Sequence, residues 1–225
     1  MTDIIIAIDG PAASGKSTTA ARVARVLGYN HLNSGLLYRG ITWAARVEDW
    51  PGDETRFNRR LAELSLELER VGSGYRVLVD GVDPGVNLVS PATSARVSEV
   101  SAKPEVRDKV LNLLRAEGGH GGVVCDGRDI GTVVFPNAEL KIFLIASAEE
   151  RGRRRLLDHG LEVSDEAVSQ EAARLAARDA ADSSRSVSPL REAPDAVRVD
   201  TTEMDAGEVV RRIVSLARDR GATVG

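Results

Sequence analysis

The sequence predicts an α/β fold, a central parallel sheet of about five strands flanked by helices, and three observations carry the prediction. Short apolar, β-branched runs recur along the chain, and strands buried on both faces of a parallel sheet read this way. Helical patterns separate most of them, as parallel strands require of their crossovers. The first run also passes through a glycine-rich turn directly into a helix.

Taken in order, Ile4-Ile5-Ile6-Ala7-Ile8 reads as the first strand, stopped by Asp9-Gly10-Pro11. From Gly15 the period becomes helical, with Ala20, Val23, Ala24 and Leu27 on one face and Gly28 as the stop. A second strand precedes Asn33. Val123-Val124-Cys125 and Leu140-Lys141-Ile142-Phe143-Leu144-Ile145 read as central strands, and Ala196-Val197-Arg198-Val199 as a further one. The last helix starts at about Asp205 and buries Val209, Val210, Ile213, Val214 and Ala217.

The middle breaks this rhythm. Between about Asp53 and Arg115 the pattern predicts a helix containing Leu61, Leu64, Leu66 and Leu68, then a hairpin from Tyr75-Arg76-Val77-Leu78-Val79 turning at Asp80-Gly81. Two helices follow, the second opening at Pro104. This segment carries its own apolar pattern and reads as an insertion over 34–116 within one domain spanning 1–225. Residues 151–186 are rich in arginine and short of large apolar side chains, which predicts a mobile, solvated flap.

Composition excludes several classes. The net charge is −4, against bulk nucleic-acid or membrane-surface binding. No apolar run reaches the length of a membrane span, and no basic segment leads an apolar one at the N-terminus. The single cysteine, Cys125, forbids an internal disulfide and fits a reducing cytoplasm. His31, His120 and His159 have no metal-ligand spacing. A monomer is expected, since nothing suggests a sustained coiled coil.

Lysine occurs only at Lys16, Lys103, Lys109 and Lys141, so a lysine inside a glycine-rich loop stands out. Gly10-Pro11-Ala12-Ala13-Ser14-Gly15-Lys16-Ser17 fits G-x-x-x-x-G-K-[ST], placed between a strand and a helix. Backbone N–H groups of such a loop curl around an anion at the positive end of a helix dipole. Lys16 adds a charge near the β- and γ-phosphates of a bound triphosphate, and Ser17 is placed to ligate Mg²⁺, with Thr18 beside it. The fold is thus expected to be of the P-loop NTPase type. Asp126, ending a central strand, either accepts from metal-bound water or orders the arginine after it.

Such a loop serves switch GTPases, motor ATPases and small-molecule kinases. The chain has no Asn-Lys-x-Asp guanine segment and lacks the length and basic surface of a motor. Its clustered cations, Arg39, Arg128, the run from Arg151 to Arg155, and Arg178 with Arg185, suit a second anionic substrate and the charge in flight. The run from Arg151 to Arg155 reads equally as a solvated helix face paired with Glu149 and Glu150. Kinases of UMP, AMP or an alcohol acceptor, and a nucleotide-dependent switch, remain alternatives; an alcohol would need a base such as Asp126 or Asp129.

Asn33-Ser34-Gly35-Leu36-Leu37-Tyr38-Arg39 follows the second strand, and Asp126-Gly127-Arg128-Asp129-Ile130-Gly131-Thr132-Val133-Val134-Phe135-Pro136 a central one. Arg178-Asp179, Asp182-Ser183-Ser184-Arg185 and Ser188-Pro189-Leu190 close the flap. With the phosphate loop, these make the chain resemble the bacterial cytidylate (CMP) kinases, of the nucleoside monophosphate kinase family, nearly end to end. The resemblance implies ATP as donor with Mg²⁺ and CMP or dCMP as acceptor. It puts Arg151 and Arg155 with the loop on the triphosphate, and Ser34, Tyr38, Arg39 and Arg128 around the acceptor. Ser98, Arg107 and Asp129 face the cytosine, Arg178 and Asp182 the ribose, and Arg185 the substrate or migrating phosphoryl group. Asn33 departs from the family, which often has Asp there.

The chemistry of cytosine agrees with this. A carboxylate accepts from the N4 amino group, while an arginine and a hydroxyl donate to N3 and O2. Uracil carries an acceptor in place of that amino group, so a fixed carboxylate disfavours it.

Overall fold

A computed structural model describes residues 3–47 and 54–223. Five parallel strands form the sheet in the order β2-β5-β1-β6-β7: β1 Ile5–Asp9, β2 Asn30–Asn33, β5 Val123–Gly127, β6 Leu140–Ile145 and β7 Val197–Asp200. Register follows from apolar pairing, with Ile6 opposite Val124 on one side and opposite Leu140 on the other. The alternation along β1 divides the core. Ile4, Ile6 and Ile8 pack with α1 (Lys16–Leu27) and α8 (Ala206–Asp219), while Ala7 faces the opposite layer with Leu32, Leu37 and Ile41.

Helix boundaries are written in the sequence. Gly28 ends α1 in the left-handed region at φ 73°. Asp205 and Glu208 form a reciprocal capping box at the start of α8. The buried stripe of α8 is Val209, Val210, Ile213, Val214 and Ala217, as the period predicts.

Between β2 and β5 lie α2 (Ser34–Val47), α3 (Glu54–Glu63), the hairpin β3 (Leu66–Val71) and β4 (Gly74–Val79), α4 (Pro91–Val100) and α5 (Pro104–Gly118). Asp53, near the start of this segment, lies outside the described residues. Two expectations are corrected here. The helix ends at Glu63, and Leu66 and Leu68 belong to β3, paired with Val79 and Val77. The hairpin turns at Gly72-Ser73, not at Asp80-Gly81. Residues 66–69 alternate Leu and Glu with period two, and on a strand both leucines face inward, whereas a helix would spread them. Asp80-Gly81 is a tight turn too, but it folds Val82 back onto Val79. The hairpin also covers the free edge of the sheet, because the His31 N–H on β2 donates to the Ser73 carbonyl at 2.7 Å.

Residues 151–186 fall mostly in α6 (Ala148–Asp158) and α7 (Asp165–Ser183), which pack against each other. Their inner face is not solvated: Leu156, Ala172, Leu175 and Asp182 are buried. The lack of large apolar residues has a steric cause. A Cβ on Gly152 would lie 2.7 Å from the Val168 carbonyl oxygen, so the helices touch through backbone and small side chains.

Candidate active site

The C-terminal ends of β1, β2 and β5 open into one cavity of about 370 Å³. Ligands gather at this end of open α/β sheets. Its floor is the phosphate loop from Ala12 to Thr18. Gly10 starts that loop at φ 149°, with its α-carbon pressed so close to the Leu144 carbonyl that a Cβ would lie 2.1 Å from the oxygen. Ala13 at φ 56° and Gly15 at φ 86° turn the backbone inward, and Gly15 caps α1.

Lys16 folds back over the loop, donating to the Pro11 carbonyl at 2.5 Å and to Ser14 Oγ at 3.3 Å. It is 6% exposed, and burial, reinforced by the nearby Arg128 guanidinium, pushes its ammonium well below the ordinary lysine range. Ser17 Oγ donates to Asp126 Oδ2 at 2.6 Å, and the His31 Nε2–H reaches Asp126 Oδ1 at 2.7 Å. The Asp126 backbone carbonyl accepts from Ser34 Oγ at 2.8 Å.

At the far end lies a buried ion pair. Arg107 on α5 donates to Asp129 Oδ2 at 2.6 Å, with both side chains nearly inaccessible. The Arg107 guanidinium also lies over the Tyr38 ring, 5.3 Å from its centroid, and donates to the Ser101 carbonyl at 2.9 Å. Burial raises the Tyr38 phenol above its ordinary range, so it stays protonated.

Between the two ends stand Arg39, Arg128, Arg155 and Arg178. Burial first, then repulsion from Arg178, Arg155 and Arg128, lowers Arg39 to about 10. Arg178 is pushed down likewise, by burial and then Arg128. Its Nε is buried without a hydrogen-bond partner. Guanidiniums crowded in a half-buried space repel one another, and an anion among them relieves that repulsion. Asp182 is 2% exposed and holds two cations in place, taking Arg128 Nε on Oδ2 at 2.9 Å and Arg185 on Oδ1 at 2.5 Å.

Most sequence-predicted residues therefore meet in one cavity, including Ser34, Tyr38, Arg39, Arg107, Arg128, Asp129, Arg155, Arg178, Asp182 and Arg185. Four do not line it. Gly10 and Pro11 shape the loop from behind. Arg151 is tied to the Ala12 carbonyl and to Asp179, which clamps α6 and α7 onto the loop. Ser98 does not line the cavity, whereas Ser101, three residues further along, does. Arg153 and Arg154 pair with Glu150, so that part of the arginine run is a paired helix face. Asn33 lines the cavity and accepts from the Leu36 N–H at 3.3 Å.

Three contributors have no counterpart in the sequence reading. His31 had a signal, since it lies two residues before Asn33 on a strand and so shares its face. Asp9 had one as well, ending a strand as Asp126 does. It is 4% exposed and accepts from the Ile130 and Gly131 N–H groups at 2.8 and 2.7 Å, anchoring the turn after Asp129. Burial raises its pKa to about 6 against the pull of those two donors. Ser101 had no signal distinguishing it from neighbouring serines.

No group of three or more His, Cys, Asp or Glu suited to a metal occurs among the described residues, and no described helix is long and apolar enough to cross a membrane. A second cavity of about 240 Å³ shares Ser14, Gly15 and Thr18 with the first and runs outward beside Arg154, Thr201 and Met204.

A family profile described as cytidylate kinase matches residues 6–219. The cytidylate kinase of Syntrophotalea carbinolica is 43% identical over 218 residues, 96% of this chain and 93% of its own length. That of Desulfitobacterium hafniense is 45% identical over 224 residues, 97% of this chain and 94% of its own. Among solved structures, an uncharacterized protein from Eubacterium ventriosum superposes with a TM-score of 0.50 at 11% identity, covering 96% of this chain and 99% of that one, a likeness of fold alone. The length and identity of these matches, on a cavity joining a phosphate loop to a buried Arg107–Asp129 pair, establish that the chain belongs to the cytidylate kinase family.

Proposed function

We propose that this chain transfers the γ-phosphoryl group of ATP to the 5′-phosphate of CMP or dCMP, giving CDP or dCDP for pyrimidine nucleotide metabolism. The observation that carries the reading is the layout of the main cavity: phosphate loop at one end, fixed carboxylate at the other, four arginines between.

The two cavities share the loop residues Ser14, Gly15 and Thr18, so a donor with its phosphates in the loop has its nucleoside end in the smaller cavity. The acceptor then occupies the larger one. Asp129, with Oδ2 held by Arg107, accepts from the cytosine N4 amino group through its other oxygen. Ser34, Arg39 and Arg128 grip the acceptor phosphate. Arg178 and Asp182 lie at the ribose, and Arg185 and Arg155 face the transferred group.

The oxygen-only pair of Ser17 hydroxyl and Asp126 carboxylate, 2.6 Å apart, fits a hard divalent cation such as Mg²⁺. Ser17 would ligate it and Asp126 would hold its water; when bound, it neutralises charge on the β- and γ-phosphates. The remaining chemistry belongs to the chain. An acceptor phosphate oxygen, already anionic, attacks the γ-phosphorus; the bond to the β–γ bridging oxygen breaks and ADP leaves. No base is required. Lys16 swings from Pro11 and Ser14 to the phosphates, and the arginines stabilise spreading charge. Residues 151–186 act as a lid over this reaction and 34–116 as the acceptor-binding insertion. In this reading the chain is a monomer in the cytoplasm.

The test is ADP production from Mg·ATP with CMP, dCMP, UMP, AMP and GMP offered singly. Strong stimulation by CMP and dCMP with weak UMP and negligible purines is expected. Stimulation by none of them overturns the reading and points to alcohol acceptors.

A further inference from the structure

Ser101 lies at the end of α4, on the short link to α5, and is 6% exposed. Both of its oxygens are engaged by arginines that serve different parts of the cavity. Its carbonyl accepts from Arg107 Nη1 at 2.9 Å, and its hydroxyl oxygen accepts from Arg185 Nη2 at 3.1 Å, 84 residues along the chain. The hydroxyl proton goes to the Ser98 carbonyl at 3.3 Å, so a lone pair is what Ser101 presents to Arg185.

These contacts close a ring. Arg107 holds Asp129, which is joined by one peptide bond to Arg128. Arg128 reaches Asp182 Oδ2, Asp182 Oδ1 takes Arg185 Nη2, and that same nitrogen returns to Ser101. We propose that Ser101 is a positioning residue that couples base recognition by Arg107 and Asp129 to the orientation of Arg185. The inference rests on the reading above, in which the base lies at Asp129 and Arg185 faces the migrating phosphoryl group.

The mechanism is geometric. The two protons of Arg185 Nη2 are divided between a carboxylate and a hydroxyl, and two fixed acceptors define the plane of a rigid fork. With Asp182 alone, the guanidinium can pivot about a single contact. A base seated on Asp129 tightens Arg107, Arg107 fixes the Ser101 backbone, and the Ser101 hydroxyl holds Arg185 where charge develops. The correct base thus promotes turnover beyond its contribution to binding.

Ser101→Ala separates the two halves of the ring, since it keeps the carbonyl that orients Arg107 and removes only the hydroxyl that orients Arg185. The expected result is a kcat for CMP lowered roughly tenfold with KM for CMP held within about twofold, because misplacement of a catalytic group costs turnover and not ground-state binding. In an Arg185→Lys background, where no planar fork remains to be held, the same substitution is expected to have no further effect on kcat. Thermal melts of the four proteins place every comparison on folded enzyme. A kcat unchanged in Ser101→Ala, a loss that multiplies with that of Arg185→Lys, or a loss carried by KM each overturns the inference while CMP-dependent turnover stands. Absence of CMP-dependent ADP formation by the unsubstituted chain overturns the underlying reading, and this inference with it.

Discussion

The hydroxyl of Ser17, in the first turn of α1, donates to Asp126 Oδ2 across 2.6 Å, although 109 residues separate the two. The contact exists because β1 and β5 are hydrogen-bonded neighbours whose C-terminal ends lie side by side, with Ile8 opposite Asp126. A hydroxyl and a carboxylate so placed share one small polar space, and His31 on β2 fixes the carboxylate from its other oxygen. Strand order thus gathers this polar space from three separate segments.

Asp126→Asn keeps the shape and the contact from His31 but removes the charge. It is expected to raise the Mg²⁺ concentration needed for half-maximal activity about tenfold or more and to lower kcat about 10²-fold, the scale for losing one preorganised electrostatic partner. Magnesium titrations at fixed ATP measure both. An unaltered magnesium requirement would remove Asp126 from the metal's surroundings.

Lys16→Met is expected to lower kcat by 10² or more, by about the same scale of electrostatic loss. Because burial already disfavours the Lys16 ammonium, the neutral side chain should leave the melting temperature equal or higher. Activity assays beside a thermal melt check the two halves separately. A variant that keeps most of its turnover excludes Lys16 from the mechanism.

Asp129→Asn leaves Arg107 buried beside a neutral amide and puts a donor where cytosine also donates. The kcat/KM for CMP should fall by about 10²-fold or more while that for UMP falls less, narrowing discrimination. Removing one partner of a buried pair also destabilises, typically by about 3–5 kcal/mol, so a lowered melting temperature belongs to the expectation. Equal losses for both acceptors would mean that Asp129 does not read the base.

Asp9 predicts a pH dependence of stability. Its pKa is about 6 in the fold against an ordinary 3.8, because burial, with repulsion from Asp129, opposes ionisation more strongly than the Gly131 and Ile130 N–H donors and the Lys16 charge favour it. A carboxyl with a raised folded value stabilises fully below its unfolded pKa, and that contribution is lost as pH rises from about 4 through about 6. A rise from 3.8 to about 6, at about 1.4 kcal/mol per pH unit, amounts to roughly 3 kcal/mol. Denaturant melts of the wild type and Asp9→Asn at pH 4, 5, 6 and 7 isolate it. The stability of the wild type relative to the variant should decline across that window and level off above it; a constant difference would show that Asp9 does not titrate there.

Much of the fold is legible in the sequence because its signals are local. Ile4 to Ile8, the helix stop at Gly28 and the capping box at Asp205 each depend on residues within one turn or strand. The hairpin was harder, since Leu61, Leu64, Leu66 and Leu68 fit a helix loosely and only pairing with Val77 and Val79 decides that the last two lie on a strand. The arginine-rich segment misled for a different reason. Burial there is achieved by close approach at Gly152, and hydropathy does not register a helix contact made by a missing side chain.

For the site, the division is between chemistry and partnership. By itself the sequence determined the phosphate loop, the cations and carboxylates available, and the family they resemble, because each is a property of residue types at fixed spacing. Only the tertiary structure decided that Arg107 is spent on Asp129 and Ser101, that Asp182 holds Arg128 and Arg185, that Arg151 clamps the loop from outside the cavity, and that Ser101, not Ser98, lines it. Each of these bonds joins residues on different elements or depends on which way an element faces. Hydrogen bonds reach about 3 Å, and which groups fall within that reach is set by how strands and helices pack, not by their order along the chain.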